Sequence, residues 1–258
     1  MDNTKLKNRM SGKVQELQQP AEMVEATPDT ALASANTGYL ALTNNALDII
    51  RANLKSQPLT LDLFDVVKSP SGGSTVFSVP GLAGEEPAKE LTGILLDYTT
   101  PRAYWDTPDP VEGTPPVCMS QNSIISYDGK ACAHCPYNDF GSKDGESNAK
   151  ACKESVLLFL LRPESIIPLL VRVPVTSKAR FLKYSTRLLS TLTPINSVVT
   201  KITLEKTTSK AGKPYALFNF QTVSILSSEE AAQAKVFGQQ FMEIVNAAQM
   251  GPEMAAAS

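Results

Sequence analysis

Apolar and polar positions divide this chain into a polar start, a strand-rich middle and a helical end. Residues 1–36 are rich in Gln, Thr, Ala, Asp and Glu, with two prolines and little apolar periodicity. Such a stretch cannot bury enough surface to offset its ordering entropy, so it reads as a flexible segment. Over 43–54, Leu47, Ile49, Ile50 and Leu54 fall near one face and predict a short helix. From Leu59 the pattern changes to strands. A first strand over 59–67, the turn sequence Ser69-Pro-Ser-Gly-Gly-Ser and a return strand over 75–79 predict a hairpin. The Gly-Gly pair is read as turn chemistry, because no Gly-Lys-Ser/Thr follows it to make a phosphate loop. A third strand over 91–99 leads into Arg102-Ala-Tyr-Trp and a proline-rich loop over 107–116.

Beyond a segment that holds every cysteine, two nearly continuous apolar stretches, 154–161 and 166–173, read as strands buried on both faces. Pro174-Val-Thr-Ser opens a helix over 177–192. A long hairpin follows, 197–205 with 215–225, and then a helix over 228–248 that begins Ser228-Glu-Glu. The organisation predicted is a flexible segment 1–36, a single domain over 37–250 and a flexible tail 251–258.

The cysteines change the picture most. Cys118, Cys132, Cys135 and Cys152 follow the spacing C-x13-C-x2-C-x16-C. The central Cys132-Ala-His-Cys135 is a knuckle that can supply two corners of a tetrahedron from one tight turn, and the outer thiolates supply the others. A closed four-thiolate set fits structural Zn2+. An Fe-S cluster uses the same ligands and stays open as an alternative. Disulfides need an oxidising compartment, for which no export signal argues. A redox C-x2-C pair needs no outer cysteines. The loop from Pro136 to Asn148 is polar, so a metal would pin a segment that has no core of its own.

Charge is almost balanced over the 258 residues, at −2, but not along them. Residues 143–213 carry 13 Lys+Arg against 5 Asp+Glu, a net of +8. That excess is the footprint expected for a polyanion partner, and solvated helix and strand faces are the bland alternative. Aromatics lie beside the basic residues, as in proteins that stack single-stranded bases over a cationic groove. The predicted nucleic-acid-binding set is Arg102, Tyr104, Trp105, Tyr137, Phe140, Lys143, Lys150, Lys153, Lys178, Arg180, Lys183 and Arg187. Arg102-Ala-Tyr104-Trp105 is the foremost stacking candidate, while Tyr98 and Tyr184 are expected in the core.

Chemistry elsewhere is sparse. A single histidine, His134, argues against a zinc hydrolase or a His-activated nucleophile. Asp106 and Asp109 sit in the proline-rich loop, not at ordered strand positions that could hold two metals. No dinucleotide or Walker signature is present, so the expectation is a protein that is not an enzyme. The longest apolar run, 156–161, is far short of the ~20 residues that span a bilayer. With no secretory pattern at the start, the expectation is a soluble protein of the cytoplasm, without membrane contact.

Several strings together resemble a family of uncharacterised four-cysteine proteins of bacteriophages and prophages. They are Leu91-Thr-Gly-Ile, Arg102-Ala-Tyr-Trp, Pro115-Pro-Val-Cys118, Cys132-Ala-His-Cys135-Pro-Tyr-Asn-Asp-Phe-Gly-Ser and Lys150-Ala-Cys152-Lys. Pro168-Leu-Leu-Val-Arg-Val-Pro-Val-Thr-Ser177, Lys183-Tyr and Val199-Thr-Lys-Ile-Thr-Leu extend the resemblance over about 59–226. In plan the chain is also similar to the T-even type of phage single-stranded-DNA-binding protein, an OB-fold with an embedded zinc loop of three Cys and one His. It departs in having four cysteines and in ending Met250-Gly-Pro-Glu-Met-Ala-Ala-Ala-Ser, without an acidic tail, which argues against tail-mediated recruitment of replication proteins.

The resemblance implies an α+β fold: an OB-like, mainly antiparallel β-barrel with an inserted zinc loop at 118–152 and C-terminal helices. It implies a non-catalytic single-stranded-DNA-binding protein of phage-type DNA replication or recombination in a bacterial host cell, with replication or recombination proteins as further partners. The alternative is a protein-interaction module that binds and modulates a host or phage nucleic-acid enzyme.

Overall fold

Leu157, Phe159 and Leu161 point to one face of a strand, and Val156, Leu158 and Leu160 to the other; all six are fully buried. A strand can be apolar at every position only when both of its faces are covered, and this one lies at the centre of the fold. The computed structural model describes residues 38–42, 45–55, 57–107, 111, 114–144, 148–209 and 212–247. The chain divides into two units, Met1–Asn36 and Thr37–Ser258. The predicted flexible segment 1–36 and tail 251–258 lie outside the described residues.

Among the described residues, ten strands and three α-helices are formed: β1 (Val66–Val67), β2 (Phe77–Gly81), β3 (Gly84–Ala88), β4 (Glu90–Thr99), β5 (Arg102–Tyr104), β6 (Cys118–Ser120), β7 (Lys153–Leu161), β8 (Leu169–Pro174), β9 (Val198–Thr208) and β10 (Pro214–Ile225), with α1 (Ala46–Leu54), α2 (Val175–Leu189) and α3 (Ser228–Ala247). The main sheet runs β1-β8-β7-β4-β9-β10, antiparallel throughout except for the parallel β1–β8 pair. It is curled into a half-barrel, and the class is α+β. β2 and β3 pair separately as a hairpin.

Two cores result. On one face, Ile94, Leu96, Leu157, Phe159, Leu161 and Leu170 pack against Ala234, Phe237, Phe241 and Val245 of α3 and against Ala46 and Ile50 of α1. On the other, Leu91, Leu95, Leu158, Leu160 and Val171 meet Phe181 and Tyr184 of α2, Phe218 of β10 and Phe77 and Val79 of β2. Phe181 takes edge-on contacts from Tyr98 and Phe220, with centroids at 4.8 and 5.4 Å. Tyr184 is anchored by hydroxyl contacts to Thr200 at 2.8 Å and Thr222 at 3.2 Å. Tyr184 is therefore core, as expected, and Tyr98 packs against it.

The N-terminal part of the β-region differs from its sequence reading. Residues 59–67 are not one strand: Leu61–Leu63 form a 3-10 turn, which brings Leu59, Leu61 and Phe64 into the core while Leu63 stays exposed. Only Val66–Val67 pairs, and it does so with β8. The return strand forms, but its partner is β3, whose Gly-Glu-Glu-Pro-Ala sequence has no apolar alternation to reveal it. The turn reading of Gly72-Gly73 stands, since both adopt left-handed φ of 63° and 73°. Helix starts also shift. α2 begins at Val175, and the hydroxyl of buried Ser177 accepts the Phe218 backbone N–H at 3.0 Å instead of capping. α3 is opened by a capping box: Ser227 Oγ accepts the Glu230 N–H, and the Glu230 carboxylate accepts the Ser227 N–H.

Candidate metal centre and nucleic-acid interface

β4 and β5 run in succession along β7, separated by Thr100-Pro101. Thr99 lies opposite Leu157 and Arg102 opposite Glu154, while the Ser155 N–H donates to Pro101 O at 3.1 Å. β5 then also pairs with β6, which places Tyr104 in register with Cys118. The main sheet thus ends in a small three-strand extension, and the cysteine segment is mounted on it.

All four cysteines come together there. Cys118 opens β6, Cys152 immediately precedes β7, and Cys132 and Cys135 bracket a 3-10 turn in which the Cys135 N–H donates to Cys132 O at 3.4 Å. They are free thiols, and all four line one cavity of about 20 Å³ together with Arg102, Tyr104, Tyr137 and Asn138. A cavity of that size holds about one water-sized particle. Among the described residues, no three His, Cys, Asp or Glu side chains are arranged as a ready-made metal-ligand set. In residue type the four side chains are thiophilic donors.

Burial acts on two of the thiols. Burial pushes the Cys152 thiol up to about 11, with further upward pushes from Cys135, Cys118 and Cys132, against the Arg102 guanidinium, which lowers it. Burial also raises Cys118, followed by Asp128 and Cys135. For both thiols burial is the largest cause, because it disfavours the charged thiolate.

Hydrogen bonds tie the segment to the sheet. Asn138 accepts from Arg102 and, at 3.0 Å, from Lys150, and it donates to Cys132 O at 2.9 Å. Arg102 reaches on to Glu154 at 2.8 Å, and Glu154 also pairs with Lys178 at the start of α2. Tyr137 O accepts the Cys152 N–H at 2.8 Å and the Ser142 hydroxyl at 3.0 Å. Nothing in the sequence pattern marked Asn138 or Glu154; they become visible only once β5 and β7 are seen to be neighbours.

The predicted nucleic-acid-binding residues separate into three groups. Tyr104 and Tyr137 form a parallel stack, with centroids 3.9 Å apart and planes at 16°. Beside it lies a cleft of about 140 Å³ lined by Tyr104, Trp105, Asp106, Tyr137, Lys143 and Lys153. Phe140 is 77% exposed with the Lys150 ammonium 4.4 Å from its ring centroid. A second group is structural. Trp105 is not the open stacking ring expected of it: it is only 6% exposed, and its indole N–H donates to Thr114 O at 2.9 Å. Arg102 and Lys178 are held by Glu154, and Arg180 by Glu205 at 2.7 Å and by Asn219. The third group is free: Lys143, Lys183 and Arg187 are exposed and, among the described residues, make no ion pair. The basic excess is therefore partly spent inside the fold, on ion pairs whose acidic members the charge count did not locate.

Fold and site define an α+β protein that carries a four-cysteine module on one end of a curled sheet, next to a basic aromatic cleft. Compared with protein-family models, with curated proteins and with solved structures, the chain matches none. Among the described residues, no helix is long and apolar enough to cross a membrane.

Proposed function

We propose that the chain is a non-catalytic single-stranded-DNA-binding protein of phage-type replication or recombination, acting in the bacterial host cytoplasm. A zinc ion held by Cys118, Cys132, Cys135 and Cys152 shapes its binding surface. Bound in this way, zinc has four thiolates and no open position, so it supplies structure and no reaction chemistry.

One observation carries the reading. The stacked Tyr104–Tyr137 pair lines two cavities, one that also holds the four thiols and a cleft bearing Lys143 and Lys153. A flat aromatic wall next to cations is what a sequence-tolerant single-strand site needs, since every base has a π-face and every nucleotide a phosphate. Phe140 under Lys150 offers a second exposed ring, and Lys183 and Arg187 extend the positive surface. An OB-like plan is part of the proposal; the curled, mostly antiparallel sheet and the insertion between β6 and β7 support it.

Zinc-loaded protein titrated onto a labelled single-stranded oligonucleotide over a series of salt concentrations tests the proposal. Affinity should fall steeply with salt, by a slope that counts the phosphates neutralised, and exceed the affinity for duplex. A salt-independent affinity, or no binding at low salt, contradicts it.

A second reading has its own support. Val117, just before Cys118, and Ile124, Ile125 and Tyr127 within the cysteine segment are more than half exposed. Exposed apolar side chains close in sequence suit a protein partner, such as a nucleic-acid enzyme that the chain modulates. Changing Ile124 and Ile125 to Ser should weaken such a complex and leave oligonucleotide binding intact.

A further inference from the structure

The cleft beside the tyrosine stack holds one feature that a general phosphate-and-base site does not need. Asp106 is exposed within it and, among the described residues, forms no ion pair with Lys143, Lys153 or any other cation. A carboxylate in a groove for a polyanion repels phosphate, so its presence calls for donors that it can accept from.

Two of the other polar groups around the cleft are already committed. The Trp105 indole N–H goes to Thr114 O, and the Ser142 hydroxyl donates to Tyr137 O while accepting the Ala151 N–H at 2.9 Å. Among the described residues, Asp106 is the one carboxylate that lines the cleft, beside the Thr107 hydroxyl. At about 140 Å³ the cleft is well below the roughly 300–1,000 Å³ of pockets for drug-sized ligands, and suits one ring system.

Resting on the single-strand reading above, we infer that this cleft reads one base and prefers guanine, with Asp106 accepting from the base edge. Guanine alone among the DNA bases offers a carboxylate two adjacent donors, N1–H and N2–H. Adenine and cytosine offer one amino group beside a ring-nitrogen lone pair, and thymine offers N3–H between two carbonyls; each of these places an electron pair against the carboxylate. Tyr104–Tyr137 gives the base its stacking wall, and Lys143 and Lys153 take the flanking phosphates.

The experiment uses zinc-loaded, full-length protein and fluorescence anisotropy with dT 15-mers that carry one central dG, deoxyinosine, dA or dC. Inosine keeps N1–H and lacks the N2 amino group. The dG oligonucleotide should bind at least about fivefold more tightly than the all-dT one, and inosine should lose most of that gain. Asp106→Asn should abolish the preference while retaining or raising affinity for the all-dT strand, which a merely solvated acid would not do. Equal affinities for dG and dT strands, or a preference that survives Asp106→Asn, overturn the inference and leave single-strand binding standing. Failure of every strand to bind overturns both.

Discussion

Tyr104 and Tyr137 stack face to face at 3.9 Å, one ring from a sheet strand and the other from the turn that follows the cysteine knuckle. Tyr104 is in register with Cys118, and Tyr137 O receives the Cys152 N–H, so the ring pair is fastened at both ends of the cysteine segment. Whatever gathers the thiols also sets this wall.

Removing the outer ring separates binding from stability. Tyr137 is 43% exposed, so Tyr137→Ala should cost single-strand affinity about tenfold or more, in line with the ~1–3 kcal/mol of a base stack. Tyr137→Phe should keep most of the affinity. Trp105→Phe should act first on stability, since it loses the indole hydrogen bond to Thr114, about 1 kcal/mol. Anisotropy and thermal melts on the same three variants check this.

The cations should divide as their surroundings do. Lys143→Ala and Lys153→Ala should each weaken binding for all sequences and lower the salt slope by about 1. Lys178→Ala acts elsewhere, since its ammonium meets the Glu154 carboxylate that also holds Arg102. Its main effect should be on melting temperature. A salt slope changed as much by Lys178→Ala as by the other two would contradict this division.

Gly93 marks the closest approach between β4 and β7. A β-carbon there would collide with the Leu161 carbonyl oxygen and sit 3.1 Å from Leu160 Cδ1. Backbone cannot yield as a flexible side chain can, so Gly93→Ala should destabilise by about 2–4 kcal/mol. Gly238→Ala, where the nearest atoms are at ordinary contact distances of 3.6–3.7 Å from Leu96, should cost far less. Urea denaturation of the pair checks the contrast.

Those elements were legible in the sequence wherever the apolar period was unbroken. The runs of β7 and β8 and the apolar stripes of α2 and α3 stated their own burial. What was not legible depended on partners distant in the chain. Leu59, Leu61 and Leu63 alternate like a strand, yet a 3-10 turn satisfies two of them and leaves the third in water. β3 has no apolar signal because its pairing with β2 is made by main-chain groups and by the Ser78 hydroxyl, which donates to the Glu85 carboxylate. Trp105 looked like a stacking ring because composition cannot tell a ring facing solvent from one closed over by Thr114. The same limit hid Glu154, whose carboxylate fixes two residues expected to meet phosphate.

Cysteine substitution should act on metal and fold together. Zinc-grown protein should carry one zinc per chain, and Cys132→Ser and Cys152→Ser should each abolish stoichiometric zinc and lower the melting temperature by several degrees. Elemental analysis with thermal melts reads both effects. A brown protein absorbing near 400 nm after anaerobic purification would instead assign the thiols to an iron–sulfur cluster.

The most direct measurement combines the two halves of the site. Anisotropy of a labelled single-stranded oligonucleotide is followed with zinc-loaded protein, with the same protein after chelation, and after zinc is restored, each at low and high salt. Tight, salt-sensitive binding that falls at least tenfold on chelation and returns with zinc is the predicted result. Binding unchanged by removal of the metal, or absent from the loaded protein at low salt, would contradict a zinc-shaped single-strand surface.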